Sequence, residues 1–136
     1  MERILVDTGF LVALGRTKDP AHEPARKFLA SNTLPFLTVS AVVVECCHFL
    51  TLESRKALLG WLAADGPAVV EVPASSYPDL MKTMVRHAER DVDFADAALV
   101  WLAEQTGNRH VLTVDRGDFS RFRLKGGKRL ELVEWL

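Results

Sequence analysis

Residues 4–15, ILVDTGFLVALG, join a short apolar run to a helical pattern, with a single acid between the two. The run at 4–7 predicts a buried strand, because short, bounded apolar runs are typical of strands that are covered on both faces. The segment GFLVALG that follows predicts a helix. Asp7 is therefore expected at the point where the first strand turns into the first helix.

The same alternation of strand and helix signals continues along the chain. Further strands are predicted at 35–39, 68–72 and 110–114, with a weaker fifth in LELVEW at 130–135. Helices are predicted at 9–15, 21–32, 41–50, 52–66, 76 to about 90, and 93–107. This alternation indicates an α/β protein: a three-layer α/β/α fold around a mostly parallel sheet of four to five strands.

The predicted helices carry recognisable boundary residues. Ser40 is a suitable N-cap for the helix at 41–50, and Ser76, with Pro78 close behind, is suited to begin the next-to-last one. Gly66 and Gly107 are expected to end the helices that precede them.

The segment AVVVECCHFL, residues 41–50, fits two structures. Its three consecutive valines favour a strand locally. A strand here would be overlong, because 35–39 already reads as one, so a helix is predicted. Glu45 is then either on the wet side of an amphipathic helix or in a polar pocket shared with other acids.

Length, composition and charge limit the class of protein. The 136 residues suit one domain spanning 1–136, and 49% hydrophobic with 26% charged residues is typical of a globular protein. Lys and Arg total 17 against 18 Asp and Glu, so no overall positive field marks a sequence-reading DNA-binding protein. An enzyme that acts on nucleic acid through a bound metal remains compatible with this balance.

Cysteine usage and the apolar segments suggest a compartment. Cys46 and Cys47 are adjacent, so a bridge between them is not expected, and a reducing cytoplasm fits best. Asp7 interrupts the apolar start, which argues against a signal peptide. No apolar run reaches the length of a membrane span, so no membrane contact is predicted.

Besides Glu45, four acids stand out by their positions. Asp7 and Asp115 follow the first and fourth predicted strands, and the carboxyl ends of parallel strands lie at one edge of the sheet. Asp93 and Asp96 are three residues apart near a helix start and share a face. Three have a simpler interpretation taken alone: Asp7 and Asp93 as helix N-caps, and Asp115 as a turn former beside a glycine. Asp96 is harder to explain in this way, because FADAALVWL places it beside residues that should be buried.

Taken together, Asp7, Glu45, Asp96 and Asp115 indicate a metal site. Two like charges ~4 Å apart repel by ~4 kcal/mol at an effective dielectric near 20, and Arg116 is the only cation within the flanking motifs. A divalent cation offsets such repulsion compactly, and an all-oxygen ligand set favours Mg²⁺ or Mn²⁺ over zinc. The four histidines do not form a zinc-ligand spacing with the two cysteines.

Four motifs in order, ILVDTG, VVVE, DFADAALVWLAEQTG and VLTVDRGDF, together resemble a PIN domain. More narrowly they resemble the VapC-type ribonuclease toxins of bacterial toxin–antitoxin pairs, over essentially the whole chain. One departure is Gly9, where many members of the family carry Ser, although Thr8 still offers a hydroxyl near the site.

The resemblance implies a site and a reaction. Asp7, Glu45, Asp96 and Asp115 would surround one or two Mg²⁺ or Mn²⁺ ions, with Asp93 as an accessory acid. Asp7 and Asp96 would bind the metal directly, while the other two would bind it, orient its waters or serve a second ion. The implied activity is metal-dependent endoribonuclease cleavage of RNA that leaves 5′-phosphate and 3′-hydroxyl ends.

The resemblance also implies partners: an RNA substrate, a cognate antitoxin protein and a second copy of the chain in a homodimer. Apolar residues are candidates for lining a protein contact, although burial in the core is the simpler expectation for most: Leu50, Leu52, Trp61 and Leu62.

The segment RGDFSRFRLKGGKR, residues 116–129, is basic, with Asp118 as its single acid. A solvated turn around its paired glycines is the simpler interpretation for any one cation. As a cluster after Asp115, six side chains are candidates for contact with the RNA backbone: Arg116, Arg121, Arg123, Lys125, Lys128 and Arg129.

Three other interpretations compete. A receiver-like signalling domain would need an Asp at the end of a central strand, which PFLTVS and AVVEVP do not offer. A non-catalytic interaction module with the PIN fold would not need the set of acids. A PIN nuclease of RNA processing or of DNA flaps, outside toxin–antitoxin systems, would carry the same site.

Overall fold

The computed structural model describes residues 2–136 and contains one parallel sheet. Its strands are β1 (Ile4–Val6), β2 (Phe36–Val39), β3 (Ala68–Val70), β4 (His110–Leu112) and β5 (Glu131–Leu132). They lie in the order β3-β2-β1-β4-β5, and every neighbouring pair is parallel. The predicted parallel sheet is confirmed, with five strands.

Helices cover both faces of the sheet, so the predicted three-layer α/β/α fold is confirmed. They are α1 (Thr8–Gly15), α2 (His22–Ser31), α3 (Ser40–Phe49), α4 (Leu52–Ala64), α5 (Tyr77–Arg86), α6 (Phe94–Thr106) and α7 (Arg116–Arg121). Short 3-10 turns occur at Ala74–Ser76, Ala88–Arg90 and Lys125–Gly127. Within residues 2–136, no helix has both the length and the apolar character that crossing a bilayer requires.

The core lies between the central strands and α6. Leu5, Val6 and Val111 are fully buried in β1 and β4, because a central parallel strand is covered by helices on both faces. On α6 every side chain from Ala97 to Ala103 is buried, so this helix is the most enclosed of the seven that the structure describes. Its predicted end is confirmed: Gly107 takes a positive φ of 75°, which suits a residue without a Cβ.

The central strands bring distant segments to one edge. Val6 of β1 is in register with Leu112 of β4, and the Asp7 amide donates to the Leu112 carbonyl at 3.0 Å. The residues after these two strands, Asp7 and Thr113, are therefore neighbours at the carboxyl edge of the sheet.

Two predicted helix boundaries are wrong. Ser40 is not the N-cap of α3 but its first residue, and its hydroxyl hydrogen-bonds the Glu71 carboxylate instead of the helix. The helix after Ser76 ends at Arg86 rather than near Arg90, because the chain breaks at His87 and then reaches Asp91, whose φ of 51° is left-handed.

The fourth predicted strand is also shorter than expected. It ends at Leu112, and Asp115 is the N-cap of α7 rather than a simple turn former, since its Oδ1 accepts the Asp118 amide at 3.2 Å. Gly117 lies inside this short helix. The N-cap fixes the direction in which Asp115 leaves the sheet edge.

The helical prediction for 41–50 is confirmed by α3. Val42 and Cys46 are buried, but Val44 is 59% exposed, so only part of the apolar segment around Glu45 packs into the core. Both cysteines are free, and burial raises the pKa of the Cys46 thiol to about 12. Leu50 is buried and thus unavailable for a protein contact, whereas Leu52 is exposed.

Candidate active site

Asp7 has two functions at the junction of β1 and α1. Its Oδ1 accepts the Thr8 amide at 2.8 Å, which caps the helix, and its Oδ2 accepts the Thr113 hydroxyl at 2.8 Å. The side chain is buried, and burial raises its pKa to about 6 although both hydrogen bonds lower it. The capping interpretation and the site interpretation of Asp7 are therefore compatible.

Thr8 connects the first helix to Glu45. Its hydroxyl donates to Glu45 Oε1 at 2.6 Å, and its carbonyl lies 3.8 Å from the Cys46 sulfur. Glu45 is half-buried, and burial, followed by the charge of Asp93, raises its pKa. Glu45 thus turns toward α1 and the other acids rather than toward open solvent.

The start of α6 supplies two acids with different environments. Asp93 is exposed and caps the helix, with its Oδ1 accepting the Asp96 amide at 2.9 Å. Asp96, one turn into the helix, is partly buried. Asp93 is therefore an N-cap as well as a neighbour of Glu45 and Asp96.

The pKa of Asp96 shows that the acids converge. Burial is the largest cause that raises it, to about 8, and the charges of Asp7, Asp93, Glu45 and Asp115 each raise it further. Within residues 2–136, none of these five carboxyl groups takes part in an ion pair with Lys, Arg or His. The structure thus brings the predicted acids together and leaves their combined negative charge without a cationic partner.

Asp115 lies near an ion pair between Arg90 and Asp118 that the sequence did not predict. Burial, followed by the charge of Asp118, raises its pKa, while the Asp118 amide and the nearby Arg90 lower it. Arg90 donates to the Asp118 carboxylate at 3.1 Å. Asp118 is visible in the motif VDRGDF as an acid in the first turn of α7, but no local signal links it to Arg90, 28 residues away.

Thr113 is a second residue that sequence reasoning missed. Its hydroxyl donates to Asp7 and accepts the Asp115 amide at 3.0 Å, so one side chain joins two of the predicted site acids. The Trp135 indole donates to the Thr113 carbonyl at 3.2 Å. Thr113 lies within the predicted strand HVLTV, and no local pattern in the sequence links its hydroxyl to Asp7.

The donor chemistry of the cluster fits Mg²⁺ or Mn²⁺. Every side chain offers carboxylate or hydroxyl oxygen, and the raised pKa values indicate a deficit of positive charge. In the described residues, no three Asp, Glu, His or Cys side chains form a group that holds a metal ion as they stand. Thr8 and Thr113 each donate one hydrogen bond to a carboxylate, which leaves further lone pairs on the same side chains for a metal ion.

Two of the six basic candidates already have protein partners. Arg116 donates to the Glu134 carboxylate at 2.9 Å and to the Val133 carbonyl at 3.3 Å. Arg123 donates to the Arg121 carbonyl at 2.8 Å. These two guanidinium groups stabilise the segment that follows Asp115, while the Arg121 side chain is exposed.

Three other candidates lie at the opposite edge of the sheet. Lys125 and Lys128 border a small cavity with Gly107 and Arg109, which precede β4, and Arg109 donates to the Arg129 carbonyl at 3.0 Å. The six candidates therefore do not form one patch beside the acids: Arg116 pairs with Glu134 after β5, Lys125 and Lys128 lie next to the residues that precede β4, and an antiparallel bridge joins Arg123 to Arg129.

Comparison with known proteins identifies relatives. The PIN domain family model matches residues 4–125. Ribonuclease VapC26 of Mycobacterium tuberculosis is 25% identical over 134 residues, which cover 96% of this chain and 99% of the relative. The 23S rRNA-specific endonuclease VapC20 of the same organism is 31% identical over 121 residues, covering 86% and 92%.

Solved structures agree with this relationship. The crystal structure of M. tuberculosis VapC20, a sarcin–ricin loop cleaving toxin, matches with a TM-score of 0.77 at 26% identity, over 88% of this chain and 95% of that one. VapBC2 from Rickettsia felis, bound to a DNA fragment from their promoter, shares the fold with a TM-score of 0.65 at 13% identity, over 97% and 99%.

The chain belongs to the PIN domain family and, within it, to the VapC-type ribonuclease toxins. This assignment confirms the predicted family, the predicted fold class and the predicted class of function. It excludes the receiver-like interpretation and speaks against a role as an interaction module alone.

Proposed function

We propose that this protein cleaves RNA internally by metal-dependent hydrolysis, with Mg²⁺ or Mn²⁺ held by the acids at the carboxyl edge of the sheet. The observation that carries the proposal is the convergence of five carboxyl groups with no ion-pair partner among residues 2–136, expressed most clearly in the raised pKa of Asp96. Such a cluster is stable near neutral pH when a cation offsets its charge.

Asp7 and Asp96 are proposed as the direct metal ligands, since they are the most buried of the acids. Glu45 and Asp115 would bind the same ion, orient its waters or serve a second ion, with Asp93 as an accessory acid. A bound divalent ion supplies an acidified water and offsets the charge that builds on the phosphodiester in the transition state.

Glu45 is proposed to accept the proton of the attacking water. The Thr8 hydroxyl occupies Oε1 at 2.6 Å, which leaves Oε2 for the proton. The pKa of Glu45 is raised toward the pH at which the enzyme works, and a general base is most effective when these two values are close. Thr113 and Thr8 act as positioning residues, because each holds one of the site carboxylates.

The metal requirement is tested by RNA cleavage in EDTA, Mg²⁺ and Mn²⁺. We expect no cleavage in EDTA and recovery of activity when Mg²⁺ or Mn²⁺ is added in excess, measured with a fluorescent single-stranded RNA on denaturing gels. The products should carry 5′-phosphates, which a 5′-phosphate-dependent exonuclease detects. Undiminished cleavage in EDTA would contradict the proposal.

An antitoxin protein is the proposed partner that controls this activity, and a second copy of the chain is the proposed dimer partner. Support comes from the VapC relatives and from VapBC2, a complex with the same fold. Of the residues predicted for a protein contact, Leu52 is 66% exposed, while Trp61 and Leu62 are half-buried and Leu50 is buried. Leu52 is thus the strongest candidate among them.

The basic candidates should govern the salt dependence of RNA binding. Changing Lys125, Lys128 and Arg129 together to Gln should weaken binding and reduce the slope of log affinity against log salt by about 2, since each phosphate contact with a single strand contributes about 0.7. Fluorescence anisotropy with an inactive Asp96→Asn protein measures this slope. The control changes Arg26, Lys27 and Lys56 to Gln, and an equal effect in both triple variants would argue against a specific contact.

A further inference from the structure

An open cavity of about 540 Å³ lies beside the acid cluster, within the size range of small-ligand pockets. It is bounded by the first turns of α1, the loop that follows α1, the last residue of α3 and the loop between β4 and α7. The lining residues used below are Thr8, Gly9, Arg16, Asp19, Phe49 and Val114.

The cavity adjoins the proposed active site through residues next to the acids. Thr8 lines it and donates its hydroxyl to Glu45, and Val114 lines it next to Asp115. Phe49 comes one helical turn after Glu45 on α3, so the two side chains share a face of the helix. A strand of RNA at the acids would therefore pass directly over this cavity.

The apolar groups of the cavity are unusually accessible. Phe49 is 59% exposed and Val114 is 48% exposed, although both lie beside a strongly charged site. An exposed aromatic ring in that place offers a flat apolar face, which is the surface on which nucleobases stack. Neither side chain contributes to the core of the protein.

Gly9 lets Val114 pack closely against α1 at the floor of the cavity. A Cβ added at this position would lie 2.3 Å from Val114 Cγ2 and 3.1 Å from Val114 Cγ1. Since Val is branched at Cβ, its methyl groups would have to move to admit any larger residue. Any side chain larger than that of Gly9 would therefore displace Val114 on the cavity side of α1.

The rim of the cavity carries a cation suited to a phosphate. Arg16 is exposed and takes part in no ion pair within residues 2–136. Asp19 is the acid on the same rim, and its Oδ1 accepts the Ala21 amide at 2.8 Å within the loop. The rim therefore offers one guanidinium group next to an apolar floor.

We propose that this cavity binds one nucleobase of the RNA next to the cleaved phosphate, with Phe49 stacking on the base and Arg16 contacting a neighbouring phosphate. The proposal rests on the proposed function, because it assumes that RNA reaches the acids. It assigns a base-binding subsite to residues outside the acid cluster.

Phe49→Ala tests the subsite in the inactive Asp96→Asn background. Its affinity for a short single-stranded RNA of mixed sequence should fall by about 5- to 150-fold, the range that corresponds to one base–aromatic stacking contact. Its affinity for a ribose-phosphate strand of equal length without bases should equal that of the parent. Phe49→Trp should restore binding of the intact RNA, and fluorescence anisotropy measures all three.

Leu59→Ala serves as the control, because Leu59 is a half-exposed apolar side chain on α4 that does not line the cavity. Unchanged affinity of Phe49→Ala for the intact RNA, or an equal loss on the strand without bases, would overturn the subsite. So would a loss of antitoxin binding with RNA binding intact, which would make the cavity a protein-docking surface. Failure of the wild type to cleave RNA with Mg²⁺ or Mn²⁺ would instead reject the proposed function.

Discussion

Asp7→Asn and Asp96→Asn should each lower the rate of RNA cleavage by at least about 10²- to 10³-fold, the scale of losing one electrostatic stabiliser of a transition state. Both changes remove a carboxylate charge that the proposed metal site needs. Neither removes much volume, and Asn is as good an N-cap as Asp, so α1 should keep its cap at position 7.

The expected loss is therefore one of chemistry rather than of folding. Circular dichroism should show native helix content in both variants, while gels with a fluorescent RNA show almost no product. Asp65→Asn is the matched control, because Asp65 is an exposed acid at the end of α4 outside the cluster. Full ribonuclease activity in both site variants would disprove the assignment of the acids.

In the absence of metal, the free energy of unfolding should fall as the pH rises from about 4 to about 8. Asp7 and Asp96 have pKa values raised to about 6 and about 8 in the folded protein, above the ordinary value of 3.8. The folded state therefore binds more protons than the unfolded state between these limits, and its stability decreases with pH. Asp7 contributes up to about pH 6, and Asp96 up to about pH 8.

The decrease should be at most about 9 kcal/mol, because the pKa of Asp7 is raised by about 2 units and that of Asp96 by about 4, and each unit corresponds to about 1.4 kcal/mol. Urea unfolding in EDTA at a series of pH values measures it. Asp96→Asn should abolish the decrease between pH 6 and pH 8 and reduce the decrease below pH 6 to about half, because both acids contribute there. A wild-type stability that stays constant over the whole range would show that burial and the neighbouring acids do not raise the pKa values of Asp7 and Asp96.

Local patterns predicted the elements wherever a single segment contains the signal. The helix at 93–107 carries its N-cap, its apolar face and its terminal glycine within one segment, and α6 begins and ends as predicted. The helix after Ser76 was predicted too long, because the chain leaves the helical conformation at His87, where no proline or glycine marks the end, and continues as a 3-10 turn. Ser40 looked like a cap, but its hydroxyl binds Glu71 on a neighbouring segment.

The acids of the site were predictable from topology, and their supporting residues were not. Asp7 and Asp115 follow parallel strands, so the rule on carboxyl ends predicts that they lie at one edge of the sheet. Thr113 reaches Asp7 across 106 positions, and Arg90 reaches Asp118 across 28, so no periodicity in the sequence relates them.

Exposure was the other property that the sequence did not reveal. Phe49 lies in an apolar segment, and such residues are usually buried, yet it is largely exposed beside the acids. The positions of the basic residues were also not evident from the sequence. Arg116 and Lys128 belong to one basic segment, yet they lie at opposite edges of the sheet.

Melting of the wild type and of Asp96→Asn at pH 8, with EDTA and with a series of Mg²⁺ concentrations, tests the central claim most directly. A ligand that binds only the folded state stabilises by about 2.7 kcal/mol at a hundred times its Kd, so the wild-type Tm should rise by several degrees. The Asp96→Asn variant should melt higher than the wild type in EDTA and respond little to Mg²⁺. Equal responses of the two proteins to Mg²⁺, or none in the wild type, would contradict a cation held by these carboxylates.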